Sequence, residues 1–412
     1  MLNIVLVAPF MGENMLVCIK SFCDLVEGSK DLPPIRLGII SQQSIDAIPA
    51  KWHSKIAGHF AVSNCLDHND LIEATKAFQK EWGKVDRLIG YLEHLQSPLA
   101  QTRSHLNITG MKAEIAQNFR DKNQMKAVLG KAKLPVAKQA KIHSVEDVEK
   151  FIAQVGFPII LKPLAGVGSK NTSRVTNQNE LYAALNQLMP STNNPVQAEE
   201  FVQGEEHTLE TVMINGEVLW QSSTYYLPGP LTVLENPWIQ YCVMLPLEQS
   251  QSHVQKFNPI NAQALKTLGM TDGLSHMEWF LKENGEPIVS EVGARPPGVN
   301  IMHLMSFAHN TNIWDHWAKL VTHHVWDVPK RQYAAGCIFL RAQTQRNYVQ
   351  NIVGWEDIKA TLGSDLLLYK LPRIGQSKSS HYEGDGWIIV RAKSTEQVIA
   401  HMKYILQNMQ IQ

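Results

Sequence analysis

Over residues 1–108, short apolar runs alternate with segments whose apolar positions have helical spacing. NIVLVA (3–8), RLGIIS (36–41) and RLIGYLE (87–93) read as strands. Short apolar strands separated by helical patterns predict a parallel sheet, so this part is expected to be an α/β domain. The first strand runs into APFMGEN, which lacks the G-x-G-x-x-G spacing, so no dinucleotide site is expected there.

A second unit spans 109–325. RDKNQMKAVLGKAKLPVAKQ (120–139) reads as a helix, a turn at Pro135 and a strand. In HSVEDVEKFIAQVGFP (143–158), Ser144 and Asp147 have the spacing of a capping box. Asn177 and Glu180 open another helix, which ends near Met189-Pro190. These elements form a small lobe over about 125–195.

From 196 to 325 the runs lengthen and fold back at Asn215-Gly216 and Asn284-Gly285, which predicts antiparallel ribbons in a second lobe. Helices are expected at about 298–309 and 313–326. The tail, 326–412, opens its ordered part with AAGCIFL and ends in a helix capped by Ser394 and Gln397. It reads as an α+β subdomain packed on the preceding lobe. The fold class is therefore α/β, with α+β character in the catalytic part.

Composition narrows the function. The 412 residues are 44% hydrophobic and 18% charged, with 38 Lys plus Arg against 38 Asp plus Glu. That balance carries no electrostatic footprint for nucleic acid or an anionic membrane. The five cysteines are scattered without a C-x-x-C, which fits a reducing cytoplasm. The apolar start, MLNIVLVAPF, has no basic residues before it and is interrupted by Gly12 and Glu13, so it reads as a buried strand. No apolar run approaches the ~18 residues of a membrane span.

Three constellations carry chemistry. FPIILKPLAGVGSK (157–170) ends an apolar strand on Lys162 and continues into a loop with Gly166 and Gly168. Backbone N–H groups in such a loop can wrap phosphate oxygens, and an ammonium group adds a point charge. The loop is not a Walker A motif. Glu278 in HMEWF and Glu291 in IVSEVGAR flank the Asn284-Gly285 turn, so a hairpin can bring both carboxylates onto one face. By alternation Glu278 shares its face with His276 and Phe280, and Glu291 with Val289 and Gly293. Facing carboxylates suit a hard cation, Mg²⁺ or Mn²⁺. Arg295, four residues beyond Glu291, has the planar fork that suits phosphoryl or carboxylate oxygens, and Gly298 is expected to open a helix that can receive an anion.

Taken in order, RDKNQMK, FPIILKPLAGVGSK, AEEFVQGEEHTLE, HMEWF and SEVGARPPG resemble the ATP-grasp superfamily over about residues 111–325. The resemblance implies a two-lobed fold with ATP in the cleft. It implies nucleotide lysines at Lys122 and Lys162, and a phosphate-covering loop with Gly166, Gly168 and Ser169. It further implies a hinge at Glu199, Glu200, Phe201 and Val202, and a ribose ligand at Glu206. Glu278 and Glu291 would hold the metal, and Arg295 would steady the transferred phosphoryl group.

Gly293 departs from the many members that carry asparagine there, biotin carboxylase among them. The form E-x-G-A-R-x-x-G is similar to that of L-amino-acid ligases. The reaction the resemblance implies is ADP-forming ligation of a small carboxylate to an amine, with amino acids as substrates and a homodimer as the family-level expectation. The rivals are a purine-biosynthetic or biotin-carboxylase-like enzyme, and an inactive nucleotide-binding regulator. His276 and His303 are candidate substrate contacts with Arg295 and Gly298. The histidines at 309, 316, 323 and 324 read as helix packing. YYLPGPLTVLENPWIQY (225–241) reads equally as a substrate cover or a packed surface loop.

Overall fold

The computed structural model describes residues 1–163, 172–236, 239–249 and 251–412. The N-terminal sheet is parallel, in the order Ile56–Ala61, Ile35–Ser41, Leu2–Val7, Arg87–Ile89. Ile4, Val5, Leu6 and Val7 are all fully buried, as a central parallel strand covered on both faces requires. Ile56–Ala61 was not legible as a strand, because as an edge strand it has only one well-buried position.

Eight antiparallel strands form the large sheet. Their order is Pro287–Gly293, Gly273–Leu281, Glu205–Ile214, Glu217–Leu227, Tyr241–Leu245, Ala334–Leu340, Gly386–Ala392, Leu366–Lys370. The last three come from the tail, so the tail extends this sheet. The small sheet is Gln139–Ile142, Val196–Glu200, Ile159–Pro163, Ser173–Val175. Val196–Glu200, which the lengthening pattern assigns to the second lobe, is thus a central strand of the small one.

The helices Ile301–His309 and Ile313–His323 lie between the N-terminal domain and the large sheet, in one shared core. Phe22 meets Trp317 edge-on at 5.8 Å, and Tyr91 meets Trp314 at 4.8 Å. The short turn Glu93–Leu95 follows Tyr91 in the chain, and Glu93 lines a cleft with Glu278 and Glu291.

The two ribbons turn differently. Asn215 and Gly216 both have positive φ, 53° and 78°, as a two-residue turn that follows strand twist demands. In the second ribbon Gly285 alone is left-handed, at 79°, and the Lys282 N–H bonds the Glu286 carbonyl across a three-residue loop. Ser144 and Asp147 form the expected reciprocal box, and Ser394 accepts the Gln397 N–H. Among the described residues no helix is long and apolar enough to cross a membrane.

Candidate nucleotide and metal cleft

The site begins with a helix cap. The Asp121 carboxylate accepts the N–H groups of Asn123 and Gln124 and starts the helix Lys122–Lys131. Lys122 and Lys126 are four residues apart and so project from one face. Lys122 bonds Glu291, while Lys126 reaches Glu199 at 2.7 Å.

Glu199 sits mid-strand in the small sheet, opposite Ile160, and there it also meets Lys162 at 2.7 Å. Burial would raise the Glu199 carboxyl, but Lys126 and Lys162 outweigh it and hold the group down at about 2. Lys162 must share its counter-ion. Burial and then the like charge of Lys126 push its ammonium down to about 8, although Glu199 pulls the other way. Lys126 escaped the sequence reading; its only signal was its spacing of four from Lys122.

Glu278 and Glu291 are direct cross-strand partners. The register shifts beside them: Trp279 pairs with Val289, and Ser290 is extruded as a bulge. Simple alternation therefore fails here. Val289 and Val292 both join the core with Met277 and Trp279, so Glu291 does not share its face with Val289. The bulge turns Glu291 to the cleft that Glu278 and His276 line. Burial would lower the Lys122 ammonium, yet Glu291 raises it above the usual lysine range; Glu291 is held low in return.

His276 stands behind Glu278. Its Nδ1 lies 2.8 Å from the Glu210 carboxylate and its Nε2 lies 3.6 Å from Glu278. Burial would lower this imidazole, but the hydrogen bond to Glu210 and the neighbouring Glu278 carboxylate lift it to about 9. Glu210 is fully buried and also accepts the Thr208 hydroxyl at 2.9 Å. Tyr226 donates to Glu278 at 3.2 Å.

Arg295 lines the same cleft. Its Nη2 donates to Glu93 at 2.7 Å and its Nη1 to the Pro296 carbonyl at 2.8 Å. Arg120 bonds the other oxygen of Glu93. Burial would raise the Glu93 carboxyl, but Arg295 and Arg120 hold it below the usual range. Sequence spacing offered no sign of Glu93 or Arg120, because they come from separate units of the chain.

Glu206 borders two cavities. One holds Glu278, Glu291 and Arg295; the other is lined by Phe201, Val202 and Phe280. Burial, then Glu278 and Glu291, push its carboxyl well up. The Arg174 guanidinium covers the Phe201 ring at 4.3 Å. Glu200 is occupied structurally: its carboxylate accepts the Lys138 N–H at 3.1 Å. Gly166, Gly168 and Ser169 lie outside the described residues.

One expectation is corrected, and one candidate residue lies away from the cleft. Gly298 lines the cleft but opens no helix; the helix starts at Ile301, after Val299 and Asn300 at φ 43° and 63°. His303 is not among the cleft-lining residues and stacks near Phe307 and Trp387, at 6.4 and 6.3 Å. Among the other histidines, His309 bonds the Pro329 carbonyl and His316 bonds Asp327. In 225–241, residues 230–235 form a short helix, and a Cβ on Gly229 would collide with the Glu206 carboxylate.

Residues 127–301 match the ATP-grasp domain model. These residues therefore carry an ATP-grasp domain. It is 28% identical over 249 residues to the L-arginine-specific L-amino acid ligase of Bacillus subtilis, covering 55% of this chain and 57% of that protein. It is 33% identical over 179 residues to the formate-dependent phosphoribosylglycinamide formyltransferase of Prochlorococcus marinus (strain MIT 9312), covering 42% and 44%. The chain thus spans about half the length of the curated relatives it matches. The crystal structure of L-amino acid ligase from Bacillus licheniformis superposes with a TM-score of 0.79 at 18% identity, covering 100% of this chain and 98% of that one. At that identity the likeness concerns the fold.

Proposed function

We propose that this chain is an ATP-dependent ligase that joins a small carboxylate to an amine through an acyl phosphate. The observation that carries this reading is the convergence of Lys122, Glu278, Glu291 and Arg295 on one cleft, bordered by Glu206. Acidic groups and an arginine fork at one point suit phosphoryl transfer to an anionic acceptor.

The residues fit a divalent cation that arrives with nucleotide. Glu278 and Glu291 are two oxygen-donor side chains, and Glu206 beside them is strained by their charge. Among the described residues no group of three or more metal-binding side chains occurs. Two carboxylates completed by phosphate and water are the usual setting for Mg²⁺, which would neutralise phosphate charge there.

In this reading Lys126 and Lys162, tied to Glu199, would serve the nucleotide phosphates, and Phe201 and Val202, which line the other cavity, would serve the base. Glu93 now occupies the Arg295 fork. An acceptor carboxylate that takes the fork would leave Glu93 available to an ammonium group, which an amino acid carries. The carboxylate oxygen takes the γ-phosphoryl group and ADP leaves. The amine then attacks the acyl carbon, loses a proton and expels phosphate.

Incubation with MgATP and a pool of amino acids, followed by product mass spectrometry, tests this. New amide masses with matching ADP release are expected. ADP release that instead requires a ribonucleotide amine would support the purine-biosynthetic reading, which the 33% identity to the formyltransferase favours. No ADP release with any amine would leave a nucleotide-binding protein without turnover.

A further inference from the structure

Behind Arg295 lies a second cavity of about 420 Å³, between the edge strand Arg87–Ile89, the linker around 109–112 and the start of the strand Gly273–Leu281. It shares Gln96, Met111, Ala294 and Arg295 with the cleft. Its charged lining is unbalanced. Arg87, Arg103, Lys112 and Arg295 face one carboxylate, Asp272, among the described lining residues.

Most of these groups are engaged. Asp272 accepts the Asn215 N–H at 2.9 Å and lies 3.3 Å from His324. Arg295 holds Glu93, and Lys112 donates to the carbonyls of Arg103 and Ile108 at 3.1 and 2.5 Å. Arg87 bonds the Asp86 carbonyl at 3.0 Å and approaches His324 at 3.5 Å, and no carboxylate lies within ion-pair distance of it among the described residues.

Arg103 differs. Its guanidinium has no carboxylate partner among the described residues, and its buried Nε bonds nothing. Its one hydrogen bond runs 3.5 Å from Nη1 to the Leu88 carbonyl. The linker is braced by the Arg103 main chain instead, whose carbonyl takes the Ile108 N–H at 3.0 Å and the Lys112 ammonium. Gly110, at φ +125°, leaves the fork its space: a Cβ there would stand 3.2 Å from Arg103 Cδ and Nη1. Removing a cation from water without a counter-ion is costly, and a bound anion would offset that cost. A planar fork matches two-oxygen anions best.

We propose that this cavity is an anion site in which Arg103, with Arg87, receives the compact oxyanion of a small molecule other than the nucleotide, a carboxylate or a phosphate. The source is either a substrate carboxylate reaching past Arg295 or a phosphate-bearing metabolite. The site stands apart from the ligase reading, because its test needs no turnover.

The test is isothermal titration with inorganic phosphate while the cleft is filled by Mg²⁺ and a non-hydrolysable ATP analogue. Saturable binding is expected, weakened by about tenfold or more in Arg103→Gln and several-fold in Arg87→Gln. Displacement of the phosphate by acetate assigns the site to carboxylates; phosphate that acetate does not displace assigns it to phosphate esters. Either result supports the site. Absence of saturable binding in the wild-type protein, or equal affinity in both variants, overturns it. If circular dichroism shows Arg103→Gln unfolded, Arg87→Gln decides alone.

Discussion

Glu278 and Glu291 stand directly opposite each other on adjacent antiparallel strands, beside a bulge at Ser290 that turns Glu291 out of the core. Two carboxylates in that relationship repel unless a cation compensates them, and Lys122 compensates one of them here. Glu278→Gln and Glu291→Gln keep shape and remove charge. Each is expected to raise the Mg²⁺ concentration needed for half-maximal ADP release by about tenfold or more. Titration of Mg²⁺ at saturating ATP checks this, and an unchanged requirement in the double variant would place the metal elsewhere.

Lys162 supplies a pH test. Its ammonium titrates near 8 because burial and Lys126 disfavour the charge, and the protonated form is the one that attracts phosphate. ATP affinity should therefore fall as pH rises from 7 to 9, by more than in proteins whose lysines titrate normally. Lys162→Ala should weaken ATP binding by roughly 2–5 kcal/mol and remove that pH dependence. Fluorescence titration of a nucleotide analogue reads both, and a flat profile in the wild type would assign the charge to another group.

Arg295 contributes geometry as well as charge. Arg295→Lys keeps the cation but loses the fork, so kcat should fall by about tenfold or more while ATP affinity changes little. With the amine omitted, hydroxylamine should trap a hydroxamate in the wild-type reaction. Release of AMP and pyrophosphate in place of ADP and phosphate would mean an adenylate intermediate and a different role for this residue.

Two core histidines predict an acid limit to stability. His207, stacked 4.7 Å from Trp279, is pushed down to about 4 by burial and then by His253. His309 is pushed down to about 4, chiefly by burial. Unfolded histidine titrates near 6.5. Between about 6.5 and 4 the unfolded chain binds more protons than the fold, so stability must drop as pH falls through that window. Each group accounts for about 1–3 kcal/mol. Urea unfolding at pH 7.5 and pH 5 should show the loss, and His309→Gln should flatten the slope even if it lowers stability at both pH values.

What the sequence determined by itself were features set by local physics. Binary pattern and turn chemistry specify three of the four parallel N-terminal strands, the two ribbons and the Ser144 cap, because each depends on neighbours a few residues away. Motif order likewise marked Lys122, Lys162, Glu206, Glu278, Glu291 and Arg295 as one set. Only tertiary structure decided which counter-charges they meet. Glu93 reaches Arg295 across 202 residues, and Lys122 reaches Glu291 across 169. It also decided that Ser290 bulges, which reverses the facing that alternation assigns to Glu291, and that Val196–Glu200 joins the small sheet. These outcomes arise where separate units pack, and burial there sets the charge of each group through partners that no local spacing encodes.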